Sequence, residues 1–261
     1  MGSIKKELLS GVFYTAIAKY SGILISLIIT GVLARLISPD KFGIVAVVTV
    51  ITFFFSIFSD LGIGAAIIQN KELQQKDLNQ LFSFTVWSGC ILTLLFFLCS
   101  WPISFFYKEP SMRTITQLLA INLFFASANI VPNALLYKAK AFKFLAWRSL
   151  GVQITGGIIA ILAALGGAGL YALIINPILS SILLFIISYQ KYPQTLEMTW
   201  GIPSIRKIFK FSAYQFMFNI INYFSRNLDK LLIGKYYIML LQLQNTFHQY
   251  ANKYSQSKKY H

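Results

Sequence analysis

Thr15, Lys19, Gly22, Ser26 and Thr30 recur at intervals of three and four residues through an otherwise apolar run. Ser212, Gln215, Asn219, Asn222, Arg226 and Lys230 repeat the pattern near the other end of the chain. At ~100° per residue each set lies on one face of a helix. The residues around them are Ile, Leu, Val, Phe and Tyr. A polar, cationic face inside so apolar a helix is costly, and such residues mark substrate or ion paths. Arg and Lys suit phosphate, while Asn, Gln, Ser and Thr suit sugar hydroxyls.

Other apolar runs carry shorter versions of the stripe. Thr49, Ser56, Asp60 and Gly64 share a face, as do Asn122, Ala126, Asn129 and Asn133. Gln153, Gly157, Ala160 and Ala164 form a third set, and Asn176 and Ser180 a fourth. The spacing predicts that Gly22, Gly157, Ala160 and Ala164 serve close helix packing. The asparagines fit packing and binding equally. Lys19 lies seven residues into its run, ~10 Å deep, within snorkelling reach of the interface. Arg226 and Asp229 are three apart and could pair along one helix. The candidate cavity residues are Lys19, Ser26, Asp60, Asn122, Asn129, Asn219, Asn222, Arg226 and Asp229. Such a cavity suits an anionic, hydroxyl-rich ligand, and a lipid-pyrophosphate-linked oligosaccharide has both features. A drug exporter would more often place acidic residues inside, and Asp60 is the one strong example in the first six runs.

The elements that must position these residues are membrane spans. Of 261 residues, 56% are hydrophobic and 12% charged, against about 25% charged in soluble domains. Seven runs are long enough to cross a bilayer, over 12–37, 42–69, 81–107, 115–137, 145–165, 170–189 and 208–236. The first is too long, and carries a lysine too early, to be a secretory leader. The net charge of +15 comes from 23 Lys and Arg against 8 Asp and Glu. On a soluble protein that would point to nucleic acid; here the bases sit in short segments between apolar runs, so no nucleic acid partner is expected. With the N-terminus inside, the cytoplasmic segments hold Lys5, Lys6, Lys71, Lys76, Lys138, Lys140, Lys143, Arg148, Lys191, Arg206, Lys207 and Lys210. The outer segments hold only Arg35, Lys41, Lys108 and Arg113, so the charge bias places the N-terminus in the cytoplasm.

Catalytic and metal motifs are missing from the sequence. Cys90 and Cys99 are nine apart on one predicted helix and face opposite ways. His248 and His261 lie close to the end of the sequence. There is no HExxH, GxSxG or Walker A motif, and no glycine-rich turn leading from a strand to a helix. No enzyme activity, cofactor or metal is expected.

Three stretches resemble bacterial Wzx-type polysaccharide flippases, of the multidrug/oligosaccharidyl-lipid/polysaccharide superfamily. Residues 31–43, GVLARLISPDKFG, are similar to their N-terminal signature, and residues 58–69, FSDLGIGAAIIQ, to the end of their second helix. Residues 222–234, NYFSRNLDKLLIG, resemble the start of their second half. Exporters of the colanic-acid type are the most similar. The resemblance implies an all-α fold of two six-helix lobes working by alternating access in the inner membrane. It implies a lipid-linked oligosaccharide as substrate, contact with membrane lipids and work beside a polysaccharide polymerase. Coupling to an ion gradient is a further expectation of the family. The chain is then expected to hold one complete lobe over 1–190, a cytoplasmic linker over 191–207 and the first helix of a second lobe over 208–237. Residues 238–261 are polar and are expected to lie outside the family pattern, as in a shortened product that is inactive alone. The alternatives are a multidrug extruder of the same superfamily and a membrane-embedded glycosyl- or acyltransferase.

Overall fold

The computed structural model describes residues 2–198 and 201–226. Asp229 and Lys230, and the polar segment after Tyr237, lie outside them. The described residues are helical throughout, with short connections and no strand. The helices are α1 (Gly2–Leu36), α2 (Pro39–Asp60), α3 (Ile63–Gln69), α4 (Gln75–Tyr107) and α5 (Ser111–Ala128). They continue as α6 (Ile130–Lys138), α7 (Phe142–Leu165), α8 (Ala172–Lys191) and α9, described over 202–226.

Among the described residues, five helices are each long and apolar enough to cross a membrane, and α5 with α6, bent by 40°, makes six if the pair is taken as one span. The second expected span, over 42–69, is broken as well. Leu61 (φ 45°) and Gly62 (φ 75°) take left-handed conformations between α2 and α3. The α5–α6 break is followed by Pro132, whose missing N–H leaves the Ala128 carbonyl without its helical donor. The α2–α3 break has no proline. The seventh expected span is described as far as Arg226.

Successive spans run in opposite directions, which gathers the turns into two layers. Lys138 Nζ donates to the Asn70 carbonyl (2.7 Å), and Gln75 Nε2 to Gln194 Oε1 (3.0 Å). Those contacts join the segments that the charge count assigned to one side. At the opposite end Lys41 lies beside Gly169, and the Arg113 guanidinium sits 4.5 Å from the Trp101 ring centre.

Three apolar clusters hold the bundle. Val48, Phe96, Met112, Ile115, Leu119 and Leu123 join α2, α4 and α5. Ile63, Ile67, Leu81, Val131 and Ile208 join α3, α4, α6 and α9. Ile29, Leu33 and Ala160 join α1 to α7. The small residues expected to pack do so there. Ile29 is seated so closely on Gly157 that a methyl at position 157 would overlap it. Gln153 Nε2 donates to the Gly22 carbonyl (2.8 Å), tying the same two helices.

Candidate functional site

The structure distributes the candidate residues over several places. The first is a cavity of about 370 Å³ between α2, α5 and α8. Thr49, Thr52 and Ser56 line it from α2, and Asn122 and Asn129 from α5 and its junction with α6. Ser180 and Ser181 close it from α8. Three of the short stripes converge here, as one-face spacing requires. The lining holds no charged side chain.

Lys19 lies elsewhere, in a groove of about 220 Å³ between α1 and the α6–α7 turn. Thr15, Tyr137 and Ser149 share it, so one ammonium group stands among three hydroxyl-bearing side chains. The Thr15 hydroxyl donates to the Gly11 carbonyl (2.8 Å). Ser26, two turns further along α1, is exposed.

The α9 stripe turns partly inward. Ser212 and Gln215 pack on the α2–α3 break at Gly62, and Gln215 Nε2 donates to Asn219 Oδ1 (3.0 Å). Tyr223 is buried and donates its phenol to the Val50 carbonyl (3.1 Å). Asn222 is half-buried and Arg226 exposed. Arg226 therefore lies one turn past the α2 contact, whereas Lys19 lies beside the α6–α7 turn in the opposite half of the bundle. The two cations share neither a cavity nor a depth. Asp60 serves the local backbone, because its Oδ1 accepts from the Gly64 N–H (3.1 Å) at the start of α3. Asp229 lies outside the described residues.

Two groups were not legible as site residues. Arg148, counted among the loop bases, belongs to α7 and is only 9% exposed. That corrects the charge count, because six residues past the α7 start still lie within the helix. Its Nη1 donates to Ser188 Oγ (2.5 Å) and its Nη2 to Asn133 Oδ1 (2.9 Å), both neutral. The fork therefore ties α6, α7 and α8 together. A lysine has one nitrogen and cannot span both acceptors. Arg148→Lys should cost about 1–3 kcal/mol through the acceptor left unpaired, read as a lower thermal midpoint of the purified chain in detergent.

The second missed group is a polar seam along the start of α4. Asp77, 6% exposed, accepts from Ser204 Oγ (2.7 Å) and Lys207 Nζ (2.8 and 2.9 Å). Ser83 Oγ accepts from the Glu197 backbone N–H (2.7 Å), and Trp87 Nε1 donates to the Glu197 carbonyl (3.1 Å). The segment leading to α9 is thus fastened to α4. Beside it, Gln69, Asn70, Lys207, Lys210 and Tyr214 line a groove of about 450 Å³.

Comparison with known proteins follows the same lines. The family model for "Polysaccharide biosynthesis protein" matches residues 32–253, running into the polar segment that hydropathy sets apart. The teichuronic acid biosynthesis protein TuaB of Bacillus subtilis is 26% identical, over 90% of this chain and 49% of its own length. The lipopolysaccharide biosynthesis protein WzxC of Escherichia coli is 25% identical, over 89% of this chain and 48% of its own. The succinoglycan biosynthesis transport protein ExoT of Rhizobium meliloti is 20% identical, over 78% of this chain and 42% of its own. The chain spans about half the length of the curated relatives it matches. No solved structure matches it. With its repeated apolar spans and a match that covers most of its length, the chain is a multi-pass membrane protein and belongs to the polysaccharide biosynthesis protein family.

Proposed function

We infer that this chain forms the first lobe of a flippase. The flippase carries undecaprenyl-pyrophosphate-linked oligosaccharide units from the inner to the outer leaflet of the bacterial inner membrane. Residues 1–190 make that lobe, 191–207 a cytoplasmic linker and 208–237 the first helix of the second. The N-terminus lies in the cytoplasm, and the chain moves its substrate without chemical change.

The observation that carries this reading is the Lys19 groove. It offers one ammonium and three hydroxyl-bearing side chains at the basic end of the bundle, where a pyrophosphate headgroup would enter from the cytoplasmic leaflet. Ammonium and hydroxyl groups together suit a phosphate joined to sugar. Ser26 continues the polar face along α1. Asn219, Asn222 and Arg226 offer a second set on α9, and Asp229, outside the described residues, follows them in sequence. The family and the polysaccharide-related names of its relatives agree with such a substrate.

The test is complementation in a strain lacking its own flippase. The chain is expressed with the second half of a full-length relative, and lipid-linked repeat units and surface polysaccharide are measured. Restored polysaccharide, lost again on Lys19→Ala, is the expected result. Altered drug resistance with no change in polysaccharide would favour the multidrug extruder instead.

A further inference from the structure

The groove beside the α4 seam lies between α3 and α9, at the end of the bundle where Lys138 meets Asn70 and Gln75 meets Gln194. Its volume of about 450 Å³ is that of a ligand pocket. Gln69, Asn70, Lys207 and Lys210 supply polar groups, and Ala66, Phe211 and Tyr214 an apolar and aromatic wall. The two helices run in opposite directions, so Ala66 lies about 6 Å deeper than Asn70, and Tyr214 about 6 Å deeper than Lys210. The groove is therefore polar at its mouth and apolar towards the bilayer interior.

The mouth holds donors that the fold leaves over. Lys210 is exposed and makes no ion pair among the described residues. The Lys207 ammonium gives two hydrogens to the Asp77 carboxylate (2.8 and 2.9 Å) and keeps a third. Asn70 accepts from the Lys138 ammonium at its carbonyl (2.7 Å) and from the Glu72 N–H at its Oδ1 (2.8 Å), so its amide hydrogens remain to donate. Asp77 balances Lys207, and no acidic side chain lines the groove. One net positive charge is left over, that of Lys210.

We propose that this groove binds an anionic phospholipid of the surrounding bilayer, which clamps α9 to α3. Its phosphodiester is held by Lys210, Lys207 and the Asn70 amide, and an acyl chain lies along Ala66, Phe211 and Tyr214. Basic pockets between spans bind acidic lipid headgroups in this way. A phosphodiester with a neutral headgroup carries one negative charge and matches the one left over in the groove. A pyrophosphate carries more than the groove can balance, and a zwitterionic lipid would set its own ammonium against Lys210. The site is separate from the Lys19 groove and stands whether or not the substrate is a lipid-linked saccharide.

The test uses the whole chain in detergent micelles doped with dioleoyl phosphatidylglycerol or, in equal amount, dioleoyl phosphatidylcholine. Thermal midpoint and the lipid retained in native mass spectrometry are both followed. Phosphatidylglycerol is expected to stabilise saturably, by about 5–10 °C at a hundredfold excess over the Kd, and to stay bound at one per chain; phosphatidylcholine should do neither. Lys210 is exposed, so Lys210→Ala should keep the midpoint in phosphatidylcholine while weakening phosphatidylglycerol binding about tenfold. Lys143→Ala removes an equally exposed charge from α7, outside the groove, and should leave binding unchanged. Equal effects of the two lipids, or an undiminished response in Lys210→Ala, would overturn the proposal. So would equal weakening by Lys143→Ala, which marks a diffuse basic surface, or the same shift from glycerol 3-phosphate alone, which marks a phosphate site without a lipid.

Discussion

Lys207→Ala should lower the thermal midpoint of the purified chain by about 4–8 °C, and Asp77→Asn added to it should restore about half of the loss. Both signs come from the asymmetry of a half-buried ion pair. Lys207 is 54% exposed at its side chain and Asp77 8%, so only the carboxylate depends on the protein for its solvation. Removing the ammonium leaves that carboxylate with the Ser204 hydroxyl and the Gln74 backbone N–H, the latter at 3.1 Å. An uncompensated buried charge is worse than no charge. Here two donors persist, so about 2 kcal/mol is the expected cost. At about 2–4 °C per kcal/mol for a chain of this size, that cost gives the 4–8 °C fall. Asparagine removes the charge and keeps an oxygen for the Gln74 N–H, so the first turn of α4 retains its cap. A double variant no more stable than Lys207→Ala would show that the seam needs the anion itself. Trypsin cleavage after Lys191 should accelerate in the single variant, because the segment leading to α9 is held to α4 through this seam.

Residue spacing reveals contacts whose cause is local, and it misses those that depend on where a helix breaks. That Gly22, Gly157, Ala160 and Ala164 serve close packing was legible because they follow the helical period; that they join α1 to α7 was not. Convergence of Thr49, Ser56, Asn122, Asn129 and Ser180 was legible for the same reason. The breaks at Leu61–Gly62 and at Asn129 were less so: Gly62 and Gly64 mark the first and Pro132 the second, but the polar residues there are too few to interrupt the runs over 42–69 and 115–137 in hydropathy. Yet those breaks decide what the polar groups do. Asp60 looks like an intramembrane charge awaiting a partner, but the break beside it supplies a backbone N–H for it to accept from. Arg148 looks like a loop base because lysines surround it in sequence. Its burial depends on the distant Asn133 and Ser188, which one-dimensional charge counting cannot see. Lys19 and Arg226 belong to matching stripes, but a stripe fixes a helix face and says nothing of depth. Their placement in opposite halves of the bundle follows from what α1 and α9 pack against. The same packing puts Asn122 and Asn129 in a cavity apart from both.

Gly62→Ala should be the most damaging small substitution in the described chain, at about 2–5 kcal/mol. Its φ of 75° is left-handed, which costs a residue with a Cβ about 1–2 kcal/mol. The added methyl would also stand 2.7 Å from the Ser212 carbonyl oxygen and 2.8 Å from Gln215 Cβ. The first of these is backbone in α9, so relief requires α9 to move, and overpacking of that kind costs about 1–3 kcal/mol more. Gly64→Ala is the internal control. Gly64 has no left-handed φ, and its Cβ would meet Asp60 Oδ1 at 3.4 Å and Ile130 Cγ2 at 3.7 Å, ordinary contacts. That variant should stay within about 0.5 kcal/mol of the parent. Gly201 makes the corresponding approach at the start of α9, with φ 62° and a Cβ position 2.7 Å from the Gln80 carbonyl oxygen. Gly201→Ala should therefore resemble Gly62→Ala. Thermal midpoints of the three variants in one detergent decide the matter. If Gly62→Ala matches Gly64→Ala, α9 is not held against the α2–α3 break by backbone contact, and its register on the lobe is set by the aromatic pairs of Phe54 with Tyr223 and Phe58 with Phe216 instead.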